Sequence, residues 1–218
     1  MQNWILTAAI VLAVGVLGFW VYASASISSG VFIDAQCEIE PSEGILLTFD
    51  DGPDPEMTPK VLDVLDRHGQ KAIFFVIGEK VDAHPEIVRE IVRRGHQVGN
   101  HTYSHSPYAN FLGREHLEEE IRKCGDAVER ACGVRPTLFR PPLGICTHFM
   151  ASALRNTGYR AVGWSVRSFD TCDDPREEVL ERVVEEMEPG AIVLLHDRLE
   201  RADWLAESVL EAWEKRIK

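Results

Sequence analysis

The chain has 218 residues, a length that suits one domain with an additional N-terminal segment. Its formal net charge of -12 argues against a nucleic-acid-binding protein, because neutralising phosphates requires a basic face. Its five cysteines leave at least one thiol unpaired in any compartment, and their spacings are not those of a zinc site.

The first predicted element is a hydrophobic helix. Residues 4–23 form an uninterrupted run of mostly apolar residues, and the first charged side chain of the chain is Asp34. At about 1.5 Å per residue, a helix of this length measures roughly 30 Å, which is enough to cross a bilayer core. A helix of a soluble protein would show a polar face, and this one shows none. We therefore expect a single transmembrane helix at residues 4–23.

This segment has two possible fates, an uncleaved anchor or a cleaved signal. Ala23-Ser24-Ala25 resembles a signal-peptide cleavage site, but the basic region that precedes the apolar part of a signal peptide is missing. We expect an anchor, followed by a connector at residues 26–43. No Lys or Arg precedes Lys60, so the positive-inside rule hardly specifies the orientation. We expect a membrane protein whose remaining chain faces an extracytoplasmic space.

From residue 44 onward, short apolar segments alternate with amphipathic ones. The apolar segments predict strands at 45–49, 72–77, 96–99, 137–139, 160–164 and 191–195. The amphipathic segments predict helices at 59–68, 85–94, 114–131, 148–156, 175–188 and 201–215. This alternation is typical of a parallel sheet, so we expect one α/β domain at residues 44–218.

Chemically capable residues lie at or just past the ends of five predicted strands: Asp50, His101, Arg140, Trp164 and His196. In a barrel, the C-terminal ends of all strands converge on one mouth. This favours a barrel over an open doubly wound sheet. The chain is short for eight full β/α units, so we expect a reduced (β/α) barrel of parallel strands.

Two pairs of residues indicate a metal site. Asp50 and Asp51 are adjacent, an arrangement of like charges that is unfavourable unless a cation or a proton lies between them. His101 and His105 have the spacing that places two imidazoles on one face if the segment is helical. Two imidazoles and one carboxylate form a three-ligand set with an open position for water, and the other aspartate stays free as a base. The ligand set suits zinc, and cobalt or nickel would also fit.

Two further residues complete the predicted site. Arg140 ends a strand in the segment LFRPPLG and could pair with the free aspartate, fixing its rotamer. His196 ends the apolar strand of GAIVLLHD, which the sequence predicts to be buried on both faces. At the mouth of a barrel, beside a metal site, such a histidine is placed to donate a proton.

Four segments resemble, in order, the signature motifs of the polysaccharide deacetylases, which form carbohydrate esterase family four, the NodB-homology group. They are TFDDGP at 48–53, HTYSH at 101–105, RPPLG at 140–144 and VLLH at 193–196. The resemblance implies a distorted (β/α) barrel and metal-dependent removal of acetyl groups from N-acetylated, and in some members O-acetylated, sugars. It also implies that Asp50 is the base, that Asp51, His101 and His105 hold the metal, that Arg140 orients the base and that His196 is the general acid.

One motif departs from the family pattern. Where the family commonly has Asp-x-x-Asp-Trp, this chain has Arg167 in the first acidic position and Thr171 in the tryptophan position. An acidic group there is expected to tune His196, and Asp170 remains as a substitute. Arg167 beside His196 would instead lower the pKa of this histidine.

Two other functional classes stay open. A ferrous oxygenase can use two histidines and one carboxylate, but it needs neither a second aspartate nor a proton donor. A catalytically weak or inactive glycan-binding protein on the deacetylase fold is the stronger alternative, because Arg167 and Thr171 depart from the motif. The expected partners are an acetylated polysaccharide or oligosaccharide and, through the N-terminal helix, a membrane. The membrane segment favours an envelope or exported glycan.

Overall fold

The computed structural model describes residues 2–218 and begins with a long helix, α1 (Gln2–Ala25). Within α1, the segment Leu6–Ala25 has a mean hydropathy of 2.2 and is long enough to cross a membrane. Its apolar side chains are largely exposed, for example Leu12 at 69%. A core helix would bury such a surface. By length and composition, α1 therefore fits a membrane span or a signal sequence.

Eight parallel strands form a single sheet. They are β1 (Ala35–Gln36), β2 (Leu46–Gly52), β3 (Ile73–Val76), β4 (Gln97–Asn100), β5 (Leu138–Phe139), β6 (Arg160–Val162), β7 (Val166–Arg167) and β8 (Ile192–His196). Their spatial order is β1-β6-β5-β4-β3-β2-β8-β7. The sheet curls into a half-barrel with β1 and β7 at its edges, which confirms the predicted reduced barrel.

Helices cover the outer face of the sheet. After α1 they are α2 (Met57–Arg67), α3 (Gly78–Ala83), α4 (Pro85–Arg93), α5 (Arg114–Cys132), α6 (His148–Thr157), α7 (Arg176–Glu186) and α8 (Ala202–Arg216). Each helix and strand predicted in the domain is present, with small shifts at its ends. The hydrophobic spacing did not predict β1, β7 or α3, because elements of two to six residues are too short to show a repeating hydrophobic pattern.

Alternation along the strands decides which residues face the inside of the half-barrel. On β2 and β8, every second residue packs in the main core between the sheet and the helices: Leu47, Phe49, Val193 and Leu195. The residues between them face the other way. Asp50 and His196 belong to this second set, and they line a pocket at the C-terminal end of the sheet.

Part of the segment predicted as a connector packs into the domain. Strand β1 pairs with β6, with Ala35 opposite Ala161. Ile27 and Ile33 are buried in a second hydrophobic cluster that includes residues of α5 and α6. The carbonyl oxygen of Ser24 also accepts a hydrogen bond from the backbone N–H of Cys146 at 2.8 Å. The end of α1 is therefore in direct contact with the domain.

Candidate active site

Asp50 and Asp51 both line the pocket, although neighbouring residues of a strand normally point to opposite faces. The pairing of β2 with β3 shifts between Asp50 and Gly52, so that two residues of β2 oppose one residue of β3. Asp51 is the extra residue and has a left-handed backbone, with φ of 69°. Such a bulge redirects a side chain. Gly52 is needed next to it, because a Cβ there would lie 2.4 Å from Oδ2 of Asp197.

Asp51, His101 and His105 form a compact cluster of possible metal ligands. One donor atom from each residue lies within 4.8 Å of the others. Oδ1 of Asp51 is 3.5 Å from Nε2 of His101 and 3.2 Å from Nε2 of His105. Nδ1 of His101 donates to the carbonyl oxygen of Arg140 at 2.8 Å, so its Nε2 presents a lone pair to the cluster. The donor set and this tautomer fit a divalent cation.

The charges in the cluster also suit metal binding. Burial raises the pKa of Asp51, but His101, the hydrogen bond from Arg198 and His105 outweigh it and lower the pKa to about 2. Burial and the neighbouring His101 lower the pKa of His105. Near neutral pH these residues are therefore a carboxylate and a neutral imidazole, the forms that ligate a metal.

The two histidines approach each other without a helix. Residues 101–106 form a loop, so the helical arrangement considered for this segment is wrong. Thr102 and His105 have φ values of 66° and 51°, which turn the chain back on itself. The carboxylate of Glu120, on α5, accepts hydrogen bonds from the N–H and the hydroxyl of Ser104, both at 2.8 Å. The imidazole ring centroids of His101 and His105 are 5.0 Å apart. Contacts between this loop and α5, rather than a helical turn within the loop, thus bring the two imidazole rings together.

Arg140 is fully buried beside Asp50. Its Nη1 donates to Oδ1 of Asp50 at 2.8 Å. Its other hydrogen bonds go to the hydroxyl of Thr48 and the carbonyl oxygens of Val162 and Gly163. A buried charge requires such a complete set of partners. The second oxygen of Asp50, Oδ2, faces the metal-type cluster, that is, the possible metal ligands Asp51, His101 and His105. It lies 3.8 Å from Nε2 of His101.

His196 is oriented by Asp170. Nδ1 of the imidazole is 2.7 Å from Oδ1 of Asp170, and the backbone N–H of His196 donates to Oδ2 at 2.9 Å. Burial disfavours the imidazolium, but the hydrogen bond with Asp170 and the negative charges of Asp170, Asp50 and Asp51 together outweigh burial and raise the pKa of His196. The expectation that Arg167 lowers this pKa is wrong, since the Arg167 side chain lies over the rings of Trp164 and Phe169 instead.

One pocket of about 170 Å³ is lined by Asp50, Asp51, His101, His105 and His196. Small-molecule sites typically enclose roughly 300 to 1,000 Å³, so this pocket is smaller than a typical small-molecule site. Its remaining wall consists of Leu143, Gly144, Trp164, Arg167, Phe169, Thr171, Leu194 and Arg198. Gly144 has φ of 70°, and a Cβ there would lie 2.5 Å from the ring of Trp164. The glycine of RPPLG therefore allows Trp164 to pack directly against that segment.

Left-handed backbone conformations are concentrated around the pocket. Within residues 2–218, the non-glycine residues with positive φ are Asp51, Thr102, His105, Leu143 and Phe169. Each belongs to a segment that contributes to the pocket wall. Such conformations cost of order 1 to 3 kcal/mol each and persist where the surrounding structure imposes them. This distribution marks the pocket as the functional site.

Two cations that the sequence analysis does not predict hold Asp51 in place. Nε of Arg198 donates to Oδ2 of Asp51 at 2.9 Å, and Nζ of Lys80 donates to its backbone carbonyl oxygen at 2.7 Å. Arg198 is two residues after His196, just past the end of β8. A charged side chain at the end of a strand was the signal that could have indicated its place in the site. Lys80 lies on the short helix α3, which has no sequence signature.

Comparison with known proteins identifies the family. The family model described as polysaccharide deacetylase matches residues 39–162, more than half of the chain. A chitooligosaccharide deacetylase of Sinorhizobium fredii is 39% identical over 156 residues, which cover 70% of this chain and 71% of the relative.

Two solved structures have similar folds. The peptidoglycan deacetylase PdaC of Bacillus subtilis has a TM-score of 0.74 at 30% identity, covering 84% of this chain and 87% of that chain. A pseudoenzyme of carbohydrate esterase family four from Bacillus anthracis has a TM-score of 0.76 at 24% identity, covering 83% of this chain and 64% of that chain. At that identity the second likeness shows the fold alone. The chain belongs to the polysaccharide deacetylase family, hydrolases that act on carbon–nitrogen bonds in carbohydrate metabolism.

Proposed function

We propose that the chain removes acetyl groups from N-acetylated sugars of a cell-envelope or exported polysaccharide, and that O-acetyl groups are a second possible target. The observation that carries this proposal is the presence in one pocket of three distinct groups. The first is the metal-type cluster, the second is the carboxylate of Asp50, which is not part of that cluster, and the third is the imidazole of His196. Metal-assisted hydrolysis of an amide uses a metal ion, a base and an acid together.

We assign Asp51, His101 and His105 as ligands of a divalent cation, with zinc preferred and cobalt or nickel also suitable. When bound, the cation would lower the pKa of a water molecule and polarise the acetyl carbonyl group. Arg198 and the carbonyl oxygen of Arg140 would orient two of the ligands, as partners of metal ligands commonly do.

We assign Asp50 as the base that accepts a proton from the attacking water. Arg140 bonds Oδ1 of Asp50 at 2.8 Å and leaves Oδ2 free toward the cluster. Because the guanidinium is itself held by backbone carbonyls, the carboxylate has one orientation. General bases positioned in this way typically contribute about 10² to 10⁴ in rate.

We assign His196 as the general acid that protonates the amine nitrogen as the carbon–nitrogen bond breaks. An amine is a poor leaving group unless it is protonated. Asp170 occupies Nδ1, so Nε2 is the nitrogen that carries the transferred proton. The raised pKa of His196 keeps the imidazole protonated at a pH where Asp51 is ionised.

The substrate and the location are inferred from the relatives and from α1. The relatives are named for chitooligosaccharides and peptidoglycan, which favours an acetylated glycan as the substrate. The exposed apolar surface of α1 favours a single-pass anchor with the domain of residues 44–218 on the extracytoplasmic side. Added protease should then digest the domain in intact spheroplasts, and complete protection would contradict this orientation.

The test of the proposed activity is acetate release by the full chain in detergent from N-acetylglucosamine oligomers and from peptidoglycan fragments. We expect release that a chelator abolishes and added zinc restores. A catalytically weak or inactive glycan-binding protein is the second candidate, favoured by Arg167 and Thr171 in the pocket wall. Binding of these glycans without acetate release would support that candidate and contradict the hydrolase proposal.

A further inference from the structure

The loop between β4 and α5 exposes three large apolar side chains. Tyr108, Phe111 and Leu112 are 70%, 73% and 60% exposed. The residues between the two aromatic ones, Ala109 and Asn110, are buried and hold a short 3-10 turn in place. The N–H of Phe111 donates to the carbonyl oxygen of Tyr108 at 2.9 Å, so this turn forms its own backbone hydrogen bond. Internal hydrogen bonding of this kind lets a segment leave water at a lower cost.

This loop lies beside the last turns of α1. Phe111 and Trp20 line one groove of about 220 Å³, together with Phe32 and Phe149. The ring centroids of Trp20 and Phe32 are 5.5 Å apart. Because the carbonyl oxygen of Ser24 is hydrogen-bonded to the domain, α1 joins the domain directly. The contacts therefore fix the loop at the level of Trp20 along the axis of α1.

Three uncharged segments of the chain meet at this groove. The three longest segments without Asp, Glu, Lys or Arg are residues 1–33, 95–113 and 141–154. Every residue that lines the groove belongs to one of them. Charged residues make up 27% of the chain, so a meeting point of three distant uncharged segments is unusual on this protein. Water does not require a surface to lack charges, whereas contact with lipid does, because a charge in an apolar medium is costly.

The level of Trp20 corresponds to the boundary layer of a bilayer that α1 crosses. The segment long enough to span a membrane is Leu6–Ala25, and Trp20 lies five residues before its end. At 1.5 Å per residue this distance is roughly 7.5 Å along the helix axis. Apolar side chains that bind at the membrane surface are buried about 5 to 10 Å deep, at the boundary between headgroups and acyl chains. Phe111, at the level of Trp20, falls within this layer, where aromatic rings are preferred.

We propose that the loop at residues 108–112 is a membrane-binding surface, which inserts into the interfacial layer of the same bilayer that α1 crosses. Lipid then occupies the groove between Trp20 and Phe111. His105 is only three residues before Tyr108, so the metal-type cluster is held close to the membrane surface. This inference rests on the proposed single-pass anchor and is independent of the reaction that the pocket catalyses.

The experiment uses the full chain in vesicles of phosphatidylethanolamine and phosphatidylglycerol. The photoreactive residue benzoylphenylalanine replaces Phe111, whose exposed ring it resembles. Val134 is the matched control position, because it is also an exposed apolar residue but follows the other end of α5. The 19 residues of α5 separate the two positions by roughly 28 Å. Thermal unfolding of each variant verifies that it folds.

We expect irradiation to join a phospholipid to the chain at position 111, seen as an increase in intact mass by one phospholipid, and to leave the mass of the Val134 variant unchanged. A second measurement needs no substitution. In vesicles that contain a phospholipid with a diazirine on its acyl chain, the wild-type chain should be labelled within residues 106–113 and should remain unlabelled at residues 133–137.

Three results would overturn the inference. The first is a lipid adduct at position 111 that is no more abundant than the one at position 134. The second is an adduct with a second copy of the chain, which would make the loop an interface between copies. The third is an adduct with N-acetylglucosamine oligomers added to the vesicles in place of lipid, which would assign the loop to the substrate.

Failure of the anchor and failure of the activity are detected separately. Alkaline carbonate releases from cell membranes a chain that α1 does not anchor. Such release, or a chain purified from cells without α1, would overturn both the anchor and the inference. A chain that stays in the membrane without lipid at position 111 would overturn the inference alone. Acetate release is measured on the same vesicles, and its absence would refute the deacetylase function without changing the lipid result.

Discussion

Asp50 and His196 are register partners on the adjacent parallel strands β2 and β8. Neighbouring strands lie about 4.8 Å apart, so the residues assigned as base and acid are held side by side by a backbone ladder. Their side chains are oriented by separate partners, Arg140 for Asp50 and Asp170 for His196. Groups mounted on strands in this way keep a more constant geometry than groups mounted on loops.

Asp50→Asn tests the assignment of the base. The amide keeps the shape of the carboxylate but cannot accept the proton, so kcat should fall by about 10² to 10⁴ while bound metal is retained. Acetate release and the metal content of the purified chain are the two measurements. Asp63→Asn, an exposed aspartate on α2, is the control and should keep full activity. A full rate in Asp50→Asn would remove the base assignment.

Arg140→Met tests the buried ion pair. The substitution leaves Asp50 as an unpaired buried charge, and it also leaves the carbonyl oxygens of Val162 and Gly163 without donors. Losing one partner of such a pair typically costs about 3 to 5 kcal/mol of unfolding free energy. Urea unfolding of the full chain in detergent measures the loss.

A matched control for this prediction is Arg135→Met. Arg135 is also paired with carboxylates, Asp126 and Glu129, but at the surface. Exposed pairs contribute about 1 kcal/mol or less, so this variant should unfold nearly as the wild type does. Equal losses in the two variants would show that burial does not set the value of the Arg140 pair.

Asp170→Asn tests the tuning of the acid. Asp170 raises the pKa of His196, so its removal should lower that pKa. The acid must be protonated to work, and the high-pH limb of the kcat profile should therefore move to lower pH. The control is Glu214→Gln, which removes a carboxylate hydrogen-bonded to His68 outside the pocket wall and should not move the limb. An unchanged profile in Asp170→Asn would contradict the role of Asp170.

Asp197→Asn tests a buried carboxyl next to the bulge of β2. Burial raises the pKa of Asp197 to about 7, and its Oδ1 has no hydrogen-bond partner within residues 2–218. Between the unfolded pKa of about 3.9 and the folded one, the folded state holds one more proton, so this group makes stability fall as pH rises. Relative to the wild type, Asp197→Asn should gain unfolding free energy from pH 4 to pH 7. Parallel stability curves would contradict the raised pKa.

The sequence predicts the helices and strands whose hydrophobic residues repeat at a regular spacing along the chain. The strands around Phe49 and Leu195 and the long helix α5 have clear hydrophobic spacing, and Gly69 and Gly95 mark the ends of two helices. Because the C-terminal ends of parallel strands converge, the positions of Asp50 and His196 follow from these elements.

The rest of the site depends on contacts between distant residues, which leave no local pattern. The bulge at Asp51 is a shift in pairing between two strands, and no spacing in TFDDGP indicates it. The loop of HTYSH is held by Glu120 on α5, and Arg198 reaches Asp51 from the other end of the chain. Tertiary packing alone creates these contacts.

The most direct test of the account is the metal content of the purified full chain and of His101→Ala, measured together with acetate release from N-acetylglucosamine oligomers. We predict one divalent cation per wild-type chain, none in His101→Ala, and acetate release that follows the bound metal. Acetate release by metal-free wild-type chain, or an undiminished metal content in His101→Ala, would contradict it.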